Sequence, residues 1–492
     1  MLAKPPELFD RDAEWADLTT FSGDESPGAT LALVYGRRRQ GKTLILELLC
    51  EAVGGFMVTG VEQSDAQNLA DLSAAFTRFT RSPYPVTFTD WAQAIDALLR
   101  LGEDRDAPLP VVLDEFPYLV AQNNAIPSLL QNALSPRGRA RQRSRTRLIL
   151  CGSALTLMRG LLAASAPLRG RATTELMLHP FDFRDAAGLW RLTGQWDIAL
   201  RVHALVGGTP AYLDFCAGDA PKDDGDLDAW VIRRLLNPAG AMFREGRVLL
   251  AEEPAVTNPA PYYAVLGAIA NGRTRRGQIA GELGRDSGAV HHALSVLVDA
   301  QLVETHADAF HERKTSFNLA EPVLRFQQLV IRPHETRLSL RRGAEVWPEI
   351  ADTVSAKIYG PHFENVARAW TLAHASPATL GGRAGRVQPA VLRCPDPTCA
   401  SREHEIDTVA IEVRPNEPNR VLAIGEAKWR ATPVDVDELD RMRHLRSVLP
   451  DALDGVRLLL FSRSGFTDRL AAHAAGSPDV ELIDLDRLYT GS

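Results

Sequence analysis

The sequence predicts an α/β protein in several parts: a parallel-sheet domain, a winged helix-turn-helix, and a second α/β domain late in the chain. Three observations carry that prediction. The apolar run Leu31 to Tyr35 passes through GRRRQGKT, from Gly36 to Thr43, into the helical run Leu44 to Leu49. From Tyr262 to Leu302 apolar residues recur at helical spacing, with glycines at the turns. Further on, Glu405 to Val413 and Val421 to Lys428 alternate with the period of a strand.

Taken in order, residues 8 to 18, with Phe9, Arg11, Glu14 and Leu18, read as a short acidic helix, by default a solvated one. The glycine loop comes next. Glycines at both ends let the backbone N–H groups of Gly36, Arg37, Arg38, Arg39, Gln40 and Gly41 turn inward around a phosphate. Lys42 adds a point charge for the β and γ phosphates, and Thr43 offers a hydroxyl to Mg²⁺. The stretch therefore predicts a nucleoside triphosphate site.

Phe56 to Thr59 reads as a short strand, followed by amphipathic stretches from Leu69 to Phe79 and from Trp91 to Leu101. Pro110 to Leu113 is an apolar strand that ends in two carboxylates. Asp114 suits the water shell of a metal, and Glu115 suits the orientation of an attacking water. Without the upstream loop, a solvated acidic turn would be the plainer reading. Arg147 to Cys151 is a further buried parallel strand ending at Gly152-Ser153. Ligands of doubly wound sheets sit at the carboxyl ends of strands, which puts Ser153 near the γ-phosphate. Arg169 and Arg171 follow, then a strand from Glu175 to His179.

Before that last pair, Arg137, Arg139, Arg141, Arg143, Arg145 and Arg147 alternate with small or polar residues. That spacing predicts an extended loop whose guanidiniums cannot all be paired locally. A solvated loop is the default, and a track for a phosphate backbone, using Arg139, Arg141 and Arg143, is the sharper alternative. In the middle third, three short helices are followed by Leu302-Val303-Glu304 and the β-prone Thr315 to Leu319, the pattern of a winged helix-turn-helix. Its second helix begins near Asp286 and presents Ser287, His291 and His292. The positive charge lies ahead of it at Arg273, Arg275 and Arg276, which favours phosphate contact over base readout. A protein-packing unit is the alternative.

The first 220 positions resemble the archaeal-type ATPase family of the AAA+/STAND P-loop NTPases. The matching pieces are FDRDAEW, YGRRRQGKT, VVLDEFPYL, LILCGSALTLM, PLRGR, HPFDF and GGTPAYL. The resemblance implies an AAA+-like parallel sheet with a helical lid. It places Lys42 and Thr43 at the phosphates and Mg²⁺, makes Asp114 and Glu115 the metal and water residues, and makes Ser153 the γ-phosphate sensor. Arg171 becomes a finger acting on a neighbouring subunit, and Gly208-Thr209-Pro210 approaches the adenine. The family has an aromatic where this chain has Arg169, so Arg169 and Arg171 both stand as the finger.

The C-terminal strands carry a second constellation. The turn-forming Arg414 to Asn419 pairs them antiparallel, and coincidence of their apolar faces sets Ile411 opposite Leu422, Val409 opposite Ile424 and Asp407 opposite Glu426. Two carboxylates with Cβ atoms roughly 5 Å apart repel, and a divalent cation removes that penalty. Lys428 points to the same spot, and Glu364, on a helix with Phe363, Ala367 and Trp370 inward, supplies a further carboxylate. A surface ion pair between Glu426 and Lys428 is the plainer alternative. A helix from Val434 to Leu449 and a strand from Val456 to Phe461 follow.

With D-x18-E-x-K at Asp407, Glu426 and Lys428, this region resembles the PD-(D/E)XK restriction-endonuclease-like superfamily. The resemblance implies metal ligands Glu364, Asp407 and Glu426, with Mg²⁺ or Mn²⁺, and Lys428 in catalysis. Cys394, Cys399 and His404 offer three soft ligands. A tetrahedral zinc site needs four, so a reduced turn is the expectation there.

Composition sets the frame. With 492 residues there is room for about three domains. A net charge of -7 argues against a uniformly basic nucleic-acid coat, and five cysteines suit a reducing cytoplasm. No apolar window reaches membrane-spanning length. The expected parts are 1–190, a P-loop ATPase core; 191–255, a helical lid; 256–335, the winged helix-turn-helix; and 345–492, the nuclease-like domain. The expected whole is an oligomeric, cytoplasmic ATPase, with ATP and Mg²⁺, controlling a metal-dependent nuclease on DNA in defence or DNA processing. The rival is a nucleotide-switched DNA-binding regulator that does not cut.

Overall fold

In the first 180 residues, β1 (Thr30–Tyr35), β2 (Phe56–Thr59), β3 (Leu109–Asp114), β4 (Thr146–Gly152) and β5 (Ala172–Met177) form one parallel sheet in the order β2-β3-β4-β1-β5. The structure is a computed structural model that describes residues 2–163, 166–253, 255–256, 258–395, 397, 399, 401–449 and 455–492. It divides into two compact units, the first ending at Pro180 and the second running Phe181–Ser492. Alternation along the strands feeds two cores. Leu31, Leu33, Val111, Leu113, Leu148 and Leu150 pack with helices Asp65–Thr80, Trp91–Arg100, Phe116–Gln122 and Ile126–Ala133. Ala32, Val34, Val112, Ile149 and Cys151 pack with helices Asp12–Ser22 and Lys42–Val53.

Two expectations for this unit need correction. The N-terminal helix, Asp12–Ser22, is not solvated, because Trp15, Leu18 and Phe21 form an apolar stripe that covers the second of these cores. The arginine run is not an extended loop. Arg139–Arg143 is a short helix, and several of the arginines find acceptors on segments distant in sequence. Arg139 pairs with Glu103 at 2.6 Å, Arg141 donates to the Ala29 carbonyl at 2.6 Å, and Arg145 donates to the Asp106 carbonyl. Arg147 is 0% exposed within β4 and donates to the carbonyls of Asp24, Ser26 and Gly28. Arg143 is exposed. The strand expected from Glu175 to His179 starts earlier, at Ala172, and Leu178 N–H still reaches the Tyr35 carbonyl at 2.8 Å.

In the second unit, helices Pro259–Ala270, Arg276–Glu282 and Ser287–Asp299 precede an antiparallel pair, β6 (Val303–Ala307) and β7 (Thr315–Leu319). His291 and His292 are exposed on the third of these helices. A mixed sheet follows, made of β8 (Arg386–Arg393), β9 (Glu403–Glu412), β10 (Arg420–Lys428), β11 (Arg457–Ser462) and β12 (Val480–Ile483), ordered β12-β11-β10-β9-β8. Phe363, Ala367 and Trp370 of helix Gly360–Ala373 pack in one core with Ala410, Leu422, Ala423 and Phe461. Leu439, Met442 and Leu445 of helix Val436–Ser447 pack in another with Val409, Ile411, Ile424 and Leu458.

The β9–β10 pairing is antiparallel, and Val409 does face Ile424, but Ile411 pairs with Val421 rather than Leu422. The register shifts between Val421 and Ala423, so Leu422 and Ala423 both enter the core that holds Trp370. That core runs without a break from Phe183 to Tyr489, joining segments of the expected lid, helix-turn-helix and C-terminal regions. Among the described residues no helix is long and apolar enough to cross a membrane.

Candidate functional site

The carboxyl ends of β1, β3 and β4 bring the first site together. The loop Gly36 to Thr43 joins β1 to helix Lys42–Val53, and two left-handed glycine features fit it to its place. Gly41 has φ 84°, and a Cβ at Gly36 would meet the Leu178 carbonyl oxygen at 2.4 Å. Lys42 is 5% exposed, and its Nζ donates to the Gly36 and Arg37 carbonyls at 2.8 Å each. Burial lowers its proton affinity, and the carboxylates of Glu115 and Asp114 push it back up.

Thr43 Oγ1 donates to Asp114 Oδ2 at 2.8 Å, so the hydroxyl and carboxylate expected at a Mg²⁺ ion lie side by side. These hard oxygens are the donor set that ion takes. Asp114, 1% exposed, also accepts from the Glu115 N–H at 2.9 Å. Glu115 has a left-handed backbone, φ 45°, and its carboxylate accepts from Ser153 Oγ at 3.0 and 3.2 Å. Thr43, Asp114, Glu115 and Ser153 therefore form one hydrogen-bonded set, with Lys42 within electrostatic reach of its two carboxylates. Arg37 and Gln40 are buried, while Arg38 donates to the Tyr118 hydroxyl at 2.7 Å. Arg39 has φ 69°.

Arg11, which the sequence pattern places only on the N-terminal helix, also reaches this site. It is 5% exposed, and it donates to the His179 carbonyl at 2.6 Å and to the Gln40 carbonyl at 3.4 Å, tying the glycine loop to the segment after β5. Arg171 stands just before β5, and its Nε is buried with no partner among the described residues; Arg169 is exposed. Pro210 belongs to the second unit, at the start of helix Ala211–Phe215, where the Gly208 carbonyl accepts from the Phe181 N–H at 2.9 Å.

The second site lies at the β9–β10 pair. Asp407 Oδ2 accepts from the Ala427 N–H at 2.8 Å, one residue past Glu426. Burial raises the Asp407 carboxyl well above its usual range, and the charges of Glu364 and Glu426 raise it further. Burial likewise raises Glu364; Arg368 opposes that, and Glu426 and Glu405 add to it. The three acids thus share one electrostatic neighbourhood, and at this end of the pair the register is the expected one, with Val409 facing Ile424 and Thr408 facing Gly425. Glu426 is 5% exposed, and its Oε2 is buried with no hydrogen-bond partner among the described residues. An orphaned oxygen beside two further carboxylates fits a divalent cation.

Lys428 is not in open water. Its Nζ is 2.5 Å from Glu426 Oε1 and 3.3 Å from Glu438. Arg441 Nη1 is 2.7 Å from Glu426 and 3.0 Å from Glu438. Glu438 and Arg441 lie on helix Val436–Ser447 and were not found from the sequence, because nothing in their spacing ties them to a strand pair earlier in the chain. A cavity of about 590 Å³ opens beside these acids, lined by Arg275, Gln278, Lys314, Arg368, Glu364 and Asp407. A second, of about 350 Å³, is lined by Glu364, Lys428, Trp429 and Arg430. Arg273 pairs with Glu282 at 2.5 Å, and Arg276 is exposed.

The cysteine region departs from expectation. Cys394, Cys399 and His404 do meet a fourth soft ligand, His444, contributed by helix Val436–Ser447. His444 lies 40 positions beyond His404, so no local ligand spacing points to it.

Comparison with known proteins bears on the first site. Residues 8–214 match the family described as an ATPase domain predominantly from Archaea, which assigns an archaeal-type ATPase domain to that part of the chain. An uncharacterised protein of Methanocaldococcus jannaschii is 24% identical over 278 residues, 55% of this chain and 56% of that protein. The match thus spans just over half of that relative's length. Among solved structures, the Walker-type ATPase of Pyrococcus abyssi is similar at 19% identity and TM-score 0.49, over 65% of this chain and 96% of that one. The Aeropyrum pernix ORC2 protein in its ADPNP–ADP complexes is similar at 18% identity and TM-score 0.38, over 71% and 97%.

Proposed function

We propose that the protein is an ATPase whose nucleotide cycle controls a metal-dependent nuclease in its second unit, with DNA as the substrate. The family match over residues 8–214 supports ATP binding and hydrolysis. The nuclease half rests on one observation: Glu364, Asp407 and Glu426 converge in a half-buried site where Glu364 and Asp407 line one cavity and Lys428 stands 2.5 Å from Glu426. In the ATPase, Lys42 and the loop N–H groups hold the phosphates, and Thr43 and Asp114 hold Mg²⁺. Glu115, steadied by Ser153, orients water. Arg171 acts in trans, which makes a homo-oligomer part of this reading, and Pro210 borders the adenine. In the nuclease, Glu364, Asp407 and Glu426 hold Mg²⁺ or Mn²⁺, the ion supplying Lewis acidity when bound. Lys428 steadies the attacking water. Arg275, Lys314 and Arg368 along the adjoining cavity favour a phosphate backbone, with Arg273 and Arg276 nearby in sequence and Arg139, Arg141 and Arg143 as a further contact region. A cytoplasmic role in defence against foreign DNA or in DNA processing fits these activities.

The test pairs DNA cleavage, with Mg²⁺ or Mn²⁺ and ATP, with ATP turnover. Asp407→Ala and Lys428→Ala are expected to abolish cleavage and spare ATP hydrolysis. Lys42→Ala is expected to lose nucleotide binding, and Glu115→Gln to keep binding while turnover falls by about 10²-fold or more. A second reading, a nucleotide-switched DNA binder that does not cut, is favoured by the contacts of Lys428 and Arg441 with Glu426, which neutralise its charge without a metal. Intact DNA with wild type and both variants alike, while ATP is consumed, establishes that reading.

A further inference from the structure

We propose that Cys394, Cys399, His404 and His444 form a structural zinc site, separate from both sites above. Their ligand atoms, two sulfurs and two imidazole nitrogens, all lie within 4.8 Å of one another. Cys394 Sγ is 3.4 Å from His444 Nε2, and Cys399 Sγ is 3.1 Å from His404 Nε2. The two imidazoles stand edge to face with centroids 5.8 Å apart, so the two pairs converge on a common point. A tetrahedral ion with Zn–S of about 2.3 Å and Zn–N of about 2.0–2.1 Å holds its ligand atoms roughly 3.3–3.8 Å apart, close to the spacing found.

The donor set selects the ion. Two thiolates with two imidazoles suit zinc, whereas Mg²⁺ and Ca²⁺ take oxygen ligands. Four protein ligands close the coordination sphere, which is the property of a structural rather than a catalytic zinc. The cysteines are thiols, not partners in a disulfide.

The position of the ligands gives the ion a mechanical task. Cys394 follows β8, His404 lies in β9, and His444 comes from helix Val436–Ser447, with Cys399 in the connection between the strands. The ion therefore fastens the loop end of the β8–β9 hairpin to that helix. The same helix carries Glu438 and Arg441, which contact Lys428 and Glu426, and Arg441 also donates to the Glu405 carbonyl at 3.3 Å. Fastening His444 thus fixes the helix that supplies Arg441 to Glu426 and Glu438 to Lys428.

The test uses the full chain, produced with zinc in the medium and without a polyhistidine tag. Elemental analysis is expected to find about one zinc per chain. Exchange for cobalt is expected to give the strong visible bands of a tetrahedral ion with thiolate charge transfer. Cys399→Ser and His444→Ala are each expected to lose the zinc and the bands, while Asp407→Ala and His473→Ala keep both. A chelator applied to the wild type is expected to expose two thiols to alkylation, with protection restored by added zinc, a readout that does not depend on how a variant folds. Wild type with no zinc and no tetrahedral cobalt spectrum overturns the proposal. So does a His444→Ala protein that retains zinc, or thiol reactivity unchanged by chelation and zinc return.

Discussion

Arg147 sits wholly buried in the central sheet, where its guanidinium serves three carbonyls of the turn before β1. Arg147→Met keeps much of the volume and leaves those carbonyls without their donor. Only the Gly28 acceptor is buried and out of reach of water, so a loss of about 1–3 kcal/mol is expected in chemical denaturation of the first unit. Exposed Arg143, one turn of sequence away, is expected to tolerate Arg143→Ala within about 0.5 kcal/mol. Sequence alternation could not separate these two arginines, since it carries no information about which carbonyls fold back upon them. By contrast, Lys42, Thr43, Asp114, Glu115 and Ser153 were legible because a motif or a strand end fixes each one. Arg11 escaped for the opposite reason: its contact with Gln40 spans 29 positions and no local pattern announces it.

At the scale of elements, the parallel sheet was legible because buried strands are short apolar runs that end in polar turns. The C-terminal register was only half legible. A bulge at Leu422 adds a residue to one strand without disturbing the polar–apolar pattern on which the register was based. Helix pairing was not legible at all, and one pair carries a pH prediction. His203 on helix Trp196–Val206 and His362 on helix Gly360–Ala373 share a 2.9 Å ring nitrogen contact, which requires one nitrogen to accept. Burial pushes His203 down to about 4 and His362 well below its ordinary value. Both folded values lie under the unfolded one, near 6.5, so the unfolded chain takes up protons first as pH falls. The contribution is complete above about pH 6.5 and is lost towards pH 4. The urea midpoint is expected to fall across that window, and the double variant His203→Leu with His362→Leu is expected to flatten the slope.

For the whole molecule, the core running from Phe183 to Tyr489 decides what can fold alone. Phe363, Trp370 and Phe461 share it with Trp230, Leu266 and Phe326, from segments far earlier in the chain. A fragment of residues 345–492 would bare that face. It is expected to aggregate or to melt without cooperativity in calorimetry, whereas residues 181–492 together are expected to melt cooperatively. Composition and motif order suggest a series of parts but carry no sign of this sharing, because a common core is a property of contacts rather than of any one segment. The first unit holds a different tension. Glu115 keeps a left-handed backbone that costs a non-glycine residue roughly 1–2 kcal/mol, and asparagine tolerates that shape better. Selection for heat resistance alone would therefore drift towards asparagine at this position and return a sturdier protein that leaves ATP unspent.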